Sequence, residues 1–204
     1  MTTSTSTHPP SAAVYFPYPE LDRMHDQGSA PTYTSMQPSF RQLRANAIAV
    51  PTNLGDPRLG HLRLVVDAPA YINASNTNAD FPNIPNPGDV PPYPPNATAV
   101  QRAQTDATFA ANKQRFLLWR QTGNELKALI LRAVDEQYIQ VLHDEVTGFA
   151  TRSVLDIIQH LNASFGTVPP HLLSDNDARM NARYDPSLPI ENLWTQLRNG
   201  LGRI

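Results

Sequence analysis

Large hydrophobic residues in the second half of the chain recur at the period of an α-helix. They are separated by 7, 3, 7, 4, 4 and 4 residues: Phe109, Phe116, Trp119, Leu126, Ile130, Val134 and Tyr138. At about 3.6 residues per turn, these spacings place them on one stripe. Gly123 lies within the stripe and is either a close-packing point or a break into two helices, since glycine costs about 1 kcal/mol inside a helix.

Three further helices are predicted after Gly148. The first, VLDIIQHLNASFG, is nearly all apolar on one face; Thr151 or Ser153 can cap its start, the latter in a capping box with Asp156, and Gly166 can close its end. The stretches PPHLLSDNDARMNARY and SLPIENLWTQLRNG each begin with prolines that a first helical turn tolerates. The pattern predicts a mainly α protein with a bundle of about four or five helices in its C-terminal half.

The first half of the chain has a weaker pattern. Phe40, Leu43 and Ala47 share helical spacing and are followed by Pro51, which predicts one short helix from about Thr34. The turn residues of NLGDPRLGH precede an apolar run from Leu62 to Val66, which predicts a small hairpin or a single strand.

Proline marks the predicted organisation of the chain. The 204 residues include 20 prolines, and seven of these lie in FPNIPNPGDVPPYPP. We expect a disordered Ser/Thr/Pro-rich arm over residues 1–33, a small N-terminal segment over 34–80, an extended Pro-rich linker over 81–95 and a helical domain over 96–204. The alternative for the linker is a docking ligand for a proline-recognising domain.

Charge and composition exclude several classes of protein. The net charge of -2 gives no global basic field for nucleic acid, and the lack of cysteine excludes disulfide frameworks, thiol catalysis and zinc knuckles. No stretch has the roughly 20 apolar residues of a membrane span. We therefore expect a cytoplasmic protein without a cofactor, a small-molecule substrate or a membrane partner.

The acidic stretch SDNDARMNARYDP resembles the start of a calcium loop, but the later ligand positions hold Arg179, Met180 and Pro186. On a helix, Asp175 lies four residues before Arg179, which favours a solvated ion pair. Leu173, Met180 and Tyr184 would then lie beneath, with Asn176 or Asp177 in the same seam.

Other polar groups also lack the spacing of a functional site. His143, Asp144 and Glu145 have no second histidine at ligand spacing, and His160 is interpreted as a packed or rim residue. No nucleophile elbow, phosphate loop, dinucleotide fingerprint or zinc-protease motif occurs, so we expect no enzymatic activity.

Two sets of residues are candidates for binding. The basic set lies on the long helix, is opposed only by Asp106 and could contact RNA: Arg102, Lys113, Arg115 and Arg120. The alternative is a solvated face, since four charges without interleaved exposed aromatic residues are typical of one. The apolar set exceeds what a small bundle must bury and serves either a subunit interface or the core: Phe116, Trp119, Leu126 and Trp194.

The order of these elements resembles one protein family. VLDIIQHLNASFG followed by LLSDNDARMNARYDPSLPIENLWTQL is similar to the Gag protein of copia-type LTR retrotransposons, as are LRANAIAVPTNLGDPRLGHLRLVV and AVDEQYIQVLHDEVTGFATRSV upstream. The resemblance spans about Thr34 to Ile204. It implies an all-helical, capsid-like domain that self-associates into a shell around the element's RNA, with no catalytic residues. The alternative is a Gag-derived binding module, a cellular adaptor or RNA-binding protein, that stays small.

Overall fold

Five α-helices form the framework of the part of the chain that the structure describes. The computed structural model describes residues 11–26, 28–181, 189–191 and 194. The helices are α1 (Tyr33–Ala49), α2 (Ala68–Ala74), α3 (Ala99–Ala133), α4 (Val154–Phe165) and α5 (Pro170–Met180). Within the described residues the only β-type pairing is an isolated bridge between Asp144 and Gly148. The mainly α prediction is confirmed.

Helix α1 forms where its apolar spacing predicted it. Thr32 accepts a hydrogen bond from Ser35 N–H, and the Ser35 hydroxyl accepts one in return from Thr32 N–H. Phe40, Leu43 and Ala47 lie on the buried side of the helix. The helix ends at Ala49, since the residue before a proline, here Val50, favours an extended backbone.

Helix α3 is continuous over 35 residues. Thr98 and Gln101 form a capping box at its start, with each side chain accepting from the other residue's backbone N–H. Gly123 does not break the helix. The break is therefore wrong, and a Cβ built at Gly123 would lie in ordinary van der Waals contact, 3.5 Å from Leu64 Cδ2.

The core is shared by both halves of the chain. Helix α1 packs against α3 and α4, and α3 packs against α4. One cluster of buried side chains includes Leu43 and Tyr71 from the first half and Leu126, Ile130 and Ile157 from the second. The predicted N-terminal segment and the predicted C-terminal bundle therefore contribute to one core rather than to two.

Residues 11–26 also belong to this core, contrary to the predicted disordered arm. Ala12 and Met24 are fully buried, and Met24 N–H donates to the carbonyl of Ala133 at the end of α3 (2.9 Å). The buried Asn46 side chain of α1 bonds both the N–H of Tyr18 (2.9 Å) and its carbonyl (2.7 Å). These contacts satisfy the backbone of a segment that has few apolar side chains of its own.

The predicted hairpin near Leu62–Val66 is wrong. Leu62–Leu64 form one turn of 3-10 helix, and Leu62 and Val65 enter the core. The backbone reaches this position through Gly60, whose φ of 49° is rarely open to other residues. His61 N–H then donates to the carbonyl of Ala47 (2.8 Å), which holds the segment beneath α1.

A buried carboxylate organises the loop before α2. Asp56 accepts hydrogen bonds from Arg58 Nη2 (2.6 Å) and from the backbone N–H of Asn76 (3.0 Å). Its own N–H donates to the hydroxyl of Tyr71 (3.1 Å). The hydrogen bond from the Arg58 guanidinium, followed by that from Asn76, holds the pKa of the Asp56 carboxyl well below its usual range.

The predicted caps of α4 are present. Ser153 and Asp156 form the reciprocal capping box, and Gly166 N–H donates to the carbonyl of Asn162 (2.9 Å). Val154, Ile157, Ile158 and Leu161 are buried, so α4 packs a strongly apolar face into the core. The helix predicted from Ser187 onward lies largely outside the described residues.

Candidate self-association and nucleic-acid interface

The two ends of α3 have different surroundings. All of its buried residues lie between Thr122 and Ala133, and Leu118 is the first apolar residue that packs against the core. The preceding part, residues 99–117, spans about 28 Å at about 1.5 Å per residue. We call this part the free half of α3.

The four predicted self-association residues do not form one surface. Leu126 is fully buried in the core, so its assignment to an interface is corrected. Trp119 is partly buried against the core and stacks on Phe81. Phe116 lies half-buried on the last turn of the free half, and Trp194 is 61% exposed. Only Phe116 and Trp194 retain the predicted role.

Of the four predicted RNA contacts, three lie on one face of α3 and the fourth lies on another. At about 100° per residue, Lys113 and Arg120 lie within about 20° of Arg102 around the helix axis, whereas Arg115 lies about 140° away. Arg102, Lys113 and Arg120 therefore share one face of α3. Arg115 instead borders a pocket on the side of the helix that faces the core.

Two half-buried aromatic residues, Phe109 and Phe116, lie between these basic residues along the helix. Six residues occur at steps of 4, 3, 4, 3 and 4 and cover about 80° of the helix circumference. We call them the α3 stripe: Arg102, Asp106, Phe109, Lys113, Phe116 and Arg120. The spacing was readable in the sequence, but there Phe109 and Phe116 were placed on one stripe with Leu126.

The polar residues of the stripe are partly fixed by neighbours. The Lys113 ammonium lies over the Phe109 ring, 5.8 Å from its centroid. The Arg102 guanidinium lies 5.6 Å from the centroid of the Tyr93 ring, and the Tyr93 hydroxyl donates to Asp106 Oδ1 (2.6 Å). That hydrogen bond raises the pKa of Tyr93, which therefore stays protonated as the donor.

The Pro-rich segment runs beside the free half of α3. It leaves a slot of about 510 Å³, lined on one side by prolines and on the other by polar helix residues together with the ring of Phe109. The proline wall consists of Pro87, Pro91 and Pro94. Tyr93 is the segment's hydrogen-bonded contact with the helix, and its importance was not visible from the sequence.

The pocket beside Arg115 has a volume of about 370 Å³ and contains Leu54, Ile84 and Leu118 in its wall. His61, which also borders it, is buried, with Nδ1 3.2 Å from the carbonyl oxygen of Val50. Burial lowers the pKa of His61, so the ring is neutral at pH 7 and donates to that carbonyl through Nδ1.

The acidic and histidine groups outside α3 have structural contacts. Asp144 Oδ1 accepts from Val146 N–H (3.0 Å) and Thr147 N–H (2.8 Å), which closes a turn and lowers the pKa of its carboxyl. His160 Nε2 lies 2.9 Å from the carbonyl oxygen of Tyr138, at the rim of the core. Across the part of the chain that the structure describes, no three ligand side chains are grouped to hold a metal ion.

Within the SDNDARMNARYDP stretch, residues Ser174–Met180 form the second half of α5, as the helical interpretation predicted, and residues 182–186 lie outside the described part of the chain. Asp177 is exposed rather than placed in a seam, and Leu173 is 45% exposed. Tyr184 lies outside the described residues, as do the side chains of Met180 and Asn176. The predicted apolar seam is thus not formed by the residues of α5 whose side chains are described.

Comparisons with known proteins add no relative. No protein-family model, no curated protein and no solved structure matches the chain. Among the residues that the structure describes, no helix is long and apolar enough to cross a membrane. The free half of α3 and its stripe are therefore the features from which a function is inferred.

Proposed function

We propose that the chain is a Gag-like structural protein that self-associates into a capsid-like shell around retrotransposon RNA in the cytoplasm. The resemblance of the quoted stretches to copia-type Gag proteins supports the family. The observation that carries the self-association is the free half of α3, a long helical surface without a core partner.

Physical chemistry favours a partner for that surface. Isolated helices shorter than about 12 to 15 residues are marginal in water, and most helices in proteins are stabilised chiefly by packing an apolar face against a partner. The free half places Phe109 and Phe116 on one face, and neither belongs to the core of this chain. Burying both rings against another chain would remove apolar surface from water.

The size of the purified protein tests this proposal. Light scattering and negative-stain microscopy, with and without RNA, are expected to detect large particles. The double substitution of Phe109 and Phe116 by serine should reduce assembly, whereas Val100→Ser, at a position that is 75% exposed on the same helix, should not. A strictly monomeric protein at high concentration would overturn the proposal.

A second candidate is a Gag-derived binding module that contacts RNA without assembling. The alignment of Arg102, Lys113 and Arg120 on one face favours it, with two aromatic rings between them. Basic groups that follow a phosphate backbone and rings that stack on bases are the usual elements of single-strand binding. This candidate predicts RNA binding by a protein that remains monomeric, which the same size measurements distinguish.

A further inference from the structure

The charges of the α3 stripe are arranged for pairing with a copy of itself. Asp106 is the single acid of the stripe, and Arg120 lies 14 residues later on nearly the same line. The midpoint of this pair is Lys113. A two-fold axis across the helix at Lys113 would therefore place Asp106 of each copy opposite Arg120 of the other, so that the same patch serves both copies.

We propose that two copies of the chain pair the free halves of α3 in antiparallel orientation about Lys113. This inference rests on the proposed self-association and names its contact. The two aromatic residues of the stripe lie four residues before and three residues after the axis. Phe109 of one copy would then lie beside Phe116 of the second copy, so that two aromatic pairs are flanked by two ion pairs.

Charge complementarity selects the antiparallel orientation. A parallel pair in register would place Asp106 against Asp106 and Arg120 against Arg120, which is repulsive at every charged position. The antiparallel pair leaves one like-charge contact, at Lys113. That ammonium already lies over its own Phe109 ring, and the long lysine side chain can direct its charge toward solvent.

Both partners of the proposed ion pair are available. Arg120 is exposed and has no ion pair or hydrogen bond within the described residues. Asp106 is also exposed, and its Oδ1 accepts from the Tyr93 hydroxyl, which fixes the carboxylate on the stripe. The bond to Tyr93 thus orients the acid without neutralising it.

Cysteine cross-linking tests the geometry directly, because the chain contains no cysteine. Lys113→Cys should form a disulfide-linked dimer on mild oxidation. Gln114→Cys is the matched control, since Gln114 is exposed and lies about 100° around the helix from Lys113. We expect at least a severalfold higher dimer yield at position 113, and equal yields at the two positions would overturn the pairing.

Charge exchange tests the ion pairs in the full chain. Asp106→Arg and Arg120→Asp should each weaken dimerisation about tenfold, because each creates two like-charge contacts. The double variant, which exchanges the charges, should restore it. Tyr93→Phe removes the hydroxyl that is bonded to Asp106 but keeps the carboxylate charge, so it should weaken dimerisation much less than either charge reversal.

The outcomes separate this inference from the proposed function. If both single variants assemble normally and Lys113→Cys gives no cross-link, the proposed pairing is wrong but self-association is not contradicted. A monomeric parent protein contradicts both. If Arg120→Asp weakens binding to oligouridine while dimerisation is unchanged, the stripe is an RNA surface and the pairing is wrong.

Discussion

The ring of Phe81 lies stacked on the indole of Trp119, with centroids 4.8 Å apart and planes inclined by 16°. Phe81 also packs edge-on against Tyr71, so the first residue of the Pro-rich segment contacts both α2 and α3. The segment therefore begins inside the core rather than between two domains.

Phe81→Ala is expected to lower the free energy of unfolding by about 3 kcal/mol, because it leaves a cavity and removes the stack. Urea denaturation measures this change. In a Trp194→Phe background, the emission of Trp119 should also shift to longer wavelength as its ring becomes hydrated. The control is Val90→Ala, since Val90 lies in the same segment and is 49% exposed; equal effects of the two substitutions would contradict the role of Phe81.

The sequence predicted those helices whose signals are local. The Ser153 and Asp156 box defined the start of α4, and Pro51 defined the end of α1. The sequence did not predict the contacts that join distant segments, such as that between Met24 and Ala133, because a backbone hydrogen bond leaves no side-chain signature. Proline content similarly favoured a linker at Phe81, although a single aromatic residue was enough to tie it to the core.

The stripe on α3 could be predicted in part. Its basic residues and its spacing were visible, but the side of the helix that enters the core depends on where α1 and α4 pack. Phe116 and Leu126 belong to the same predicted stripe, yet only Leu126 lies within the packed end of the helix. Periodicity alone does not distinguish a buried stripe from one that is left open.

Gly60→Ala is expected to destabilise the protein by at least about 3 kcal/mol, through both backbone strain and collision. The added Cβ would meet the carbonyl oxygen of Ile48 and would lie 2.8 Å from that of Ala47. Gly88→Ala is a matched control because Gly88 also has a positive φ, of 66°, but nothing lies within 4 Å of its added Cβ. Thermal denaturation should give a loss of only about 1 kcal/mol for the control, and similar losses for both would contradict the close approach at Gly60.

The Asp56 carboxylate should make the free energy of unfolding depend on pH in the acid range. Its pKa in the folded protein lies below the ordinary value of 3.8, so its contribution is complete above that value and is lost as the pH falls toward the folded-state pKa. Asp56→Asn is therefore expected to lower the urea midpoint at pH 6 more than at pH 3. Asp89→Asn, at an exposed position, should change neither midpoint. A pH-independent loss for Asp56→Asn would contradict the importance of its charge.

Reversing Arg102, Lys113 and Arg120 together to glutamate should weaken binding to single-stranded RNA. Loss of three phosphate contacts is expected to reduce the slope of log affinity against log salt by about 2. Fluorescence anisotropy with labelled oligouridine at several salt concentrations measures both quantities. Arg115→Glu is the control, since Arg115 lies on another face of α3 beside the His61 pocket; an equal effect of this substitution would show that the face is not specific.

The buried side chains within residues 11–26 decide where the folded unit can be cut. Removing the first 33 residues as a dispensable tail would delete the buried side chains of Ala12 and Met24. It would also remove Tyr18, whose backbone is the hydrogen-bond partner of the buried Asn46 side chain. The end of α3 would lose the backbone donor of Met24 at Ala133 as well. Shortened versions of the protein for assembly or binding studies must therefore begin before Ser11, and a fluorescent label or affinity tag belongs ahead of that residue.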